Sequence, residues 1–227
     1  MEGHEPHKKR NKLSDVILGG QDGLVSVLGL LLGLSAATKS TRIVIAGALA
    51  MIIAETLSMA AVAYTSKMSD KDHYNAERLK EEQEIKDVPE IERQEIEDIY
   101  KEKGFSGKLL EDIVKHITSD KELWINTMMK EELNLMPIIK KDVYVYSFNV
   151  GASTLVGAFL PLLPYFWLNI HVALIVSLIL AIIILAVVGV YKAKTTMGNP
   201  LKSSIEMVFI GIGTALAGYL IGLLFKS

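Results

Sequence analysis

The chain has no cysteine. That excludes disulfide staples, thiolate metal sites, redox dithiols and thiol nucleophiles. Basic residues are not in excess either: 24 Lys and Arg stand against 26 Asp and Glu. Phosphate binding rests on a basic surface, so no nucleic acid is expected as a partner. The Gly-x-x-x-x-Gly-Lys-Ser/Thr loop that cradles nucleotide phosphates is missing, which argues against an ATP-driven pump. So is Glu-x-x-His, the helical di-iron carboxylate pattern. His73, His116 and His171 are isolated and sit at no zincin spacing. Without histidine ligands or cofactor motifs, a membrane-bound oxidase is disfavoured.

Charge is scarce over most of the chain. Residues 69–142 hold 20 of the 26 acidic and 13 of the 24 basic residues, while the other 153 residues carry only 17 charges. In the charge-poor part, five runs approach the ~20 apolar residues that cross a bilayer as a helix. They are 13–37, broken by Asp15 and Asp22; 43–66, with Glu55; 143–166 and 168–191, with no charge; and 205–225, with Glu206 near its start. The first is not a cleaved leader, because Gln21-Asp22-Gly23 lies in its middle and no small-residue cleavage pattern follows a short apolar core. The expected fold is an all-α membrane protein with five transmembrane helices and a helical domain inserted between helices 2 and 3.

Lysine and arginine in the short loops set the orientation. Lys8, Lys9, Arg10 and Lys12 precede the first span, Lys67 and Lys140-Lys141 bracket the insert, and Lys192, Lys194 and Lys202 lie before the last span. The expected topology has the N-terminus and insert cytoplasmic and the C-terminus outside. The divisions are 1–12, a disordered cytoplasmic N-terminus with His4 and His7; 13–68, transmembrane helices 1 and 2; 69–142, the insert; and 143–227, helices 3 to 5.

The insert reads as three or four amphipathic helices. One stripe is Ile85, Val88, Ile91, Ile96 and Ile99, with Pro89 suited to a helix start and Gly104 to a stop. Ser106 is placed to cap a helix whose stripe is Leu109, Leu110, Ile113, Val114 and Ile117. Ser119 with Glu122 makes a capping-box pattern before a last stretch, 121–135, ended by Pro137.

An ionisable residue inside a membrane span is costly and marks a pathway by default. Asp22 stands in Gly19-Gly20-Gln21-Asp22-Gly23, where the glycines allow close backbone approach or local unwinding. Glu55 occupies the second span, and Met59 follows one turn later on the same face. A carboxylate and a thioether on one stripe suit a transition metal of some softness, although a methionine in such a helix also simply packs. In the insert, Glu81-x-x-Glu84 and Glu92-x-x-Glu95 each place two carboxylates on one helix face. A reverse turn near 87–89 would converge all four, and oxygen donors suit Fe²⁺, Mn²⁺, Mg²⁺ or Ca²⁺. Met128 and Glu132 add one soft and one hard donor. Alone, these glutamates read first as a solvated face with lysine partners. Gly29-x-x-x-Gly33 and Gly218-x-x-x-Gly222 fit close helix packing, within a chain or between two.

At these residues the sequence resembles the vacuolar iron transporter family, from about residue 11 to 225. The likeness is strongest at Asp22-Gly23-Leu24-Val25-Ser26, at Ser58-Met59-Ala60-Ala61 and through the insert. The resemblance implies five membrane helices, a cytoplasmic metal-binding domain after the second, and a homodimer with its pathway between protomers. It implies proton-coupled export of Fe²⁺ from the cytoplasm for iron homeostasis, with Mn²⁺ a further substrate of some members. The metal is then cargo and H⁺ the coupling ion, with no permanently bound cofactor and no enzymatic step. Asp22 and Met59 match the membrane pathway, beside which Glu55 stands; Glu81, Glu84, Glu92, Glu95, Met128 and Glu132 match the metal-binding domain. One departure is Val62-Ala63-Tyr64, where the family has Gly-Glu-Tyr. A prokaryotic-looking composition points to the inner membrane. The alternative is a membrane-anchored metal sensor or storage-docking protein that binds metal without moving it.

Overall fold

The structure is a computed structural model describing residues 7–196 and 198–225, with side chains from residue 14 onward except at 196. Among the described residues every regular element is helical. In order they are α1 (His7–Ala37), α2 (Thr41–Asp87), α3 (Pro89–Glu102), α4 (Gly107–Thr118), α5 (Lys121–Thr127), a π-helical turn (Met128–Glu132), α6 (Lys140–Phe159), a 3₁₀ segment (Leu160–Phe166), α7 (Ile170–Thr196) and α8 (Pro200–Leu224). Five helices are long and apolar enough to cross a membrane: Ser14–Ala37, Thr41–Asp87, Lys140–Phe166, Ile170–Thr195 and Pro200–Leu224. With 47 residues, α2 runs ~70 Å at about 1.5 Å per residue. That is more than twice the ~30 Å of a hydrocarbon core. Only its apolar portion, 43–66, suits the bilayer; from Lys67 the helix is charged.

The chain forms two compact units, Met1–Tyr64 with Tyr144–Ser227, and Thr65–Val143. In the first, α1 is the central helix. Its Val27 and Leu31 pack with Val44, Ala48 and Ile52 of α2, Ala158 of α6, and Leu162 and Tyr165 of the 3₁₀ segment. Leu24, Leu28 and Leu32 pack with Ala181 and Leu185 of α7 and Met207 and Ala215 of α8.

Lipid is as apolar as leucine, so association of such helices rests on close backbone approach. The glycines provide it. A Cβ at Gly157 would overlap the Gly20 carbonyl, one at Gly218 the Gly29 carbonyl, and one at Gly222 the Gly33 carbonyl. The two Gly-x-x-x-Gly pairs therefore face each other within one chain. Around Asp22 the glycines serve the same purpose: α1 is unbroken, and Gly19 and Gly23 lie against Val150 and Thr154 of α6. Of the two expectations for these glycines, close backbone approach is the one observed, and α1 does not unwind.

Several hydroxyls in this unit bond to protein, as a water-poor medium favours, whereas Thr56 Oγ1 and Ser203 Oγ are buried without a hydrogen-bond partner. Ser177 Oγ donates to the Pro161 carbonyl at 2.5 Å and Ser204 Oγ to that of Ala186 at 2.7 Å, while Ser35 and Tyr165 share a bond of 2.8 Å. Outward positions are apolar: Phe148, Phe209 and Leu224 are more than 70% exposed, a surface suited to lipid. Phe159 stacks on Phe166, which meets Trp167 edge-on, where α6 gives way to α7.

In the second unit Tyr74 and Ile85 of α2, Ile96 of α3, Leu110, Val114 and Ile117 of α4, and Trp124, Ile125, Met128 and Met129 form one core. Only part of the expected stripes is buried: Val88, Ile91 and Leu109 are exposed. A single residue, Val88, separates α2 from α3, and Pro89 takes the first helical position. Two caps differ from expectation. Ser106 makes no side-chain cap bond. Asp120, rather than Ser119, caps α5 by accepting from the Leu123 amide at 2.8 Å, while Ser119 Oγ donates backward to His116 O. The last stretch is not one α-helix. It turns π-helical at Met128, where Leu133 N reaches Met128 O, and Asn134 then takes a positive φ of 52°. The expectation of disorder over 1–12 falls partly outside the described residues; from His7 the backbone continues α1.

Candidate functional site

Two acidic groupings stand out, one in each unit. In the first, Glu55 of α2 interacts with the side chains of both Asp22 and Ser26 of α1. Ser26 lies one turn beyond Asp22, so both offer their side chains to the same stretch of α2. Two carboxyls and a hydroxyl thus meet between α1 and α2. Ser26 also lines a cavity of about 620 Å³ walled by Leu34, Met51, Thr214, Ile221 and Phe225. Met59 is half-buried one turn beyond Glu55, and Ala63 is buried while Val62 is exposed. Tyr64 stacks on Tyr144 with ring centroids 5.7 Å apart. Position 63, where the resemblance implies an acid, is occupied by a packed methyl group.

In the second unit, the short link between α2 and α3 folds one helix back on the other. Glu81 and Glu92 are the buried charged residues of the chain's described part, at 3% and 4% exposure. One carboxylate oxygen of each, Oε2, is buried with no hydrogen-bond partner. Leaving such atoms unsatisfied is expensive, and burial of an ionised carboxylate more so. The cost appears as proton affinity. Burial, then repulsion from Glu132, Glu84 and Glu95, pushes the Glu81 carboxyl up to about 7. Burial, then repulsion from Glu95, Glu81, Glu84 and Glu132, does the same to Glu92, also to about 7. Glu132, exposed on its outer side, is raised as well, by partial burial of its carboxyl and by Glu95 and Glu84.

Neighbouring glutamates behave in the opposite way. Glu82 is held below the usual carboxylate range by Lys121 and Lys86, and Glu131 by Lys103, which also stands over the Tyr100 ring. Arg78 is taken by Glu122 at 2.6 Å and by Asn126 at 2.9 Å. Adjacent residues in sequence are thus sorted: Glu82 and Glu131 are neutralised, whereas Glu81, Glu92 and Glu132 keep mutual repulsion.

Of the six expected donors in this unit, the five carboxylates interact electrostatically, and Met128 is fully buried in the core beside Ile85 and Ile96. Among the described residues no three His, Asp or Glu side chains stand ready to hold a metal ion. Sequence reasoning assigned no role to Ser26 or to the counter-ions. Ser26 and Asp22 stand four residues apart on α1 and both reach Glu55; Lys80–Glu84 and Lys86–Glu82 pair at helical spacing, whereas Lys121, Lys103 and Arg78 reach glutamates far away in the chain.

Five helices long and apolar enough to cross a membrane, with a half-buried acidic pair between two of them, are the build of a multi-pass membrane protein. The chain belongs to the VIT family, whose model matches residues 13–223. It is 31% identical over 206 residues to Vacuolar iron transporter 1 of Tulipa gesneriana, covering 90% of this chain and 83% of that protein. Vacuolar iron transporter 1 of Arabidopsis thaliana is also 31% identical, over 207 residues, 90% of this chain and 82% of the relative. Protein CCC1 of Saccharomyces cerevisiae is 30% identical over 208 residues, 88% of this chain and 64% of that protein.

Proposed function

We propose that the chain is a proton-coupled exporter of divalent metal, Fe²⁺ first and Mn²⁺ second, that works as a homodimer and moves its cargo out of the cytoplasm. The supporting observation is the acidic pair Asp22–Glu55, set with Ser26 among apolar helices. A dehydrated divalent ion needs fixed negative charge in low dielectric, and carboxylates without an ion need protons to stay there. One group serving both cations in turn is the physical basis of exchange. Met59 supplies a thioether one turn away, which suits Fe²⁺ over Mg²⁺ or Ca²⁺. Two copies would bring two such pairs to one ion.

In this reading, unit Thr65–Val143 is the cytoplasmic collector. Glu81, Glu84, Glu92, Glu95 and Glu132, with Met128 behind them, are its donors. Empty, they hold protons; a divalent ion relieves their repulsion and displaces those protons. The test is flux. Purified chain in sealed vesicles, given an outward proton gradient, should admit Fe²⁺ and Mn²⁺ at rates at least tenfold above protein-free vesicles. Metal that binds the chain without entering the lumen would overturn transport and favour the anchored sensor.

A further inference from the structure

Among the described residues, Lys80 brings a positive charge to the carboxylates of the second unit. Lys80 Nζ lies 3.7 Å from Glu84 Oε1, across one turn of α2. Its charge also acts on Glu81 and on Glu132, opposing the repulsion both groups feel. The other basic side chains of this face are committed elsewhere: Lys86 and Lys121 to Glu82, Arg78 to Glu122, and Lys103 to Glu131. Lys80 sits beside Glu81, whose buried Oε2 has no partner, and its own side chain is 62% exposed. The ammonium is therefore near the cluster, mobile on a four-carbon stem, and not locked into a bidentate geometry.

We propose that Lys80 is a tethered counter-ion which an incoming divalent ion must displace, so that it sets both the affinity ceiling and the charge selectivity of the collector. The inference rests on the proposal that these carboxylates bind metal. A tethered ammonium offers one positive charge at high local concentration. A monovalent ion such as K⁺ brings no more charge than the lysine already supplies and gains little by replacing it. A divalent ion brings twice the charge and accepts several oxygen ligands at once. The same competition eases release, because the lysine returns as the metal leaves. A collector that must hand its cargo on needs a bounded affinity, and an adjacent lysine provides the bound without altering any ligand.

The test uses Mn²⁺ titration of the full chain in detergent, followed by electron paramagnetic resonance of free Mn²⁺, at pH 7.5 and low salt. Lys80→Met should bind Mn²⁺ about three- to tenfold more tightly than the unmodified chain, as expected for removing one screened, partly exposed charge from the site. Lys80→Arg, which keeps the charge, should stay within about twofold of the unmodified chain. Lys86→Met removes a nearby lysine paired with Glu82 instead, and should also leave the affinity within about twofold. At matched ionic strength, K⁺ in place of tetramethylammonium should weaken Mn²⁺ binding to Lys80→Met but not to the unmodified chain. Equal or weaker binding by Lys80→Met overturns the inference, as does the same gain in Lys86→Met. If the unmodified chain bound no Mn²⁺ at all, the collector itself would be overturned along with it.

Discussion

Asp22→Asn is expected to lower Fe²⁺ flux in proteoliposomes by about a hundredfold or more. The size follows from the proposed role: a metal ion left without one of its counter-charges in the low dielectric of the membrane costs about 3–5 kcal/mol. At ~1.4 kcal/mol per factor of ten, that is two orders of magnitude or more in rate. Asparagine keeps the shape and a hydrogen-bonding group toward Glu55, so the α1–α2 contact that Asp22 makes survives, and the chain should still purify and insert. Trapped chelator fluorescence reads the flux. The variant should also lose its dependence on the pH gradient, since the group that exchanges cation for proton is gone. Full flux with an unchanged pH profile would remove Asp22 from the pathway.

Metal binding by the collector should fall about a hundredfold between pH 8 and pH 6. Glu81 and Glu92 are both pushed up to about 7 by burial and repulsion. A carboxyl at that value is about 90% ionised at pH 8 and about 10% ionised at pH 6, and two must release protons to admit one metal. Calorimetric titration of the full chain with Mn²⁺ at the two pH values reads the ratio. Stability without metal moves the other way. Between the ordinary carboxylate range and pH 7, the folded unit holds protons that the unfolded chain has already lost. By linkage, the contribution of these two groups declines as pH rises through that window and stays low above it. Metal-free chain should therefore melt at a lower temperature at pH 8 than at pH 5.5, and added Mn²⁺ should recover the difference at pH 8. A pH-independent affinity would mean that Glu81 and Glu92 are ionised in the empty state.

The apolar spans were legible in the sequence because hydropathy over ~20 residues is set by the bilayer, not by neighbours. Leu24 and Leu28 could be read as membrane residues from the run alone, but not as the face turned to α7 and α8. That choice belongs to the glycines. Gly29 and Gly33 were visible as a packing motif, yet a spacing rule does not say whether the partner is Gly218 and Gly222 of the same chain. Near Asp22 the same residue type read as either close approach or unwinding, and packing against α6 selects close approach. In the insert, the two Glu-x-x-Glu pairs were plain, but their electrostatic state was not. Glu81 and Glu82 are identical in composition terms; only the fold gives one to Lys121 and buries the other. The π-helical turn at Met128–Glu132 carried no sequence signal, because its i to i+5 bonding is stabilised by core packing of Met128 and Met129 rather than by propensity.

The central claim is that one set of carboxylates exchanges a divalent metal for protons across the bilayer. The most direct measurement records Fe²⁺ arrival and luminal pH together in the same sealed vesicles. The account predicts that Fe²⁺ entering the lumen is matched by protons leaving it, with both signals stopping together in Asp22→Asn. Fe²⁺ accumulation with a steady luminal pH would contradict it.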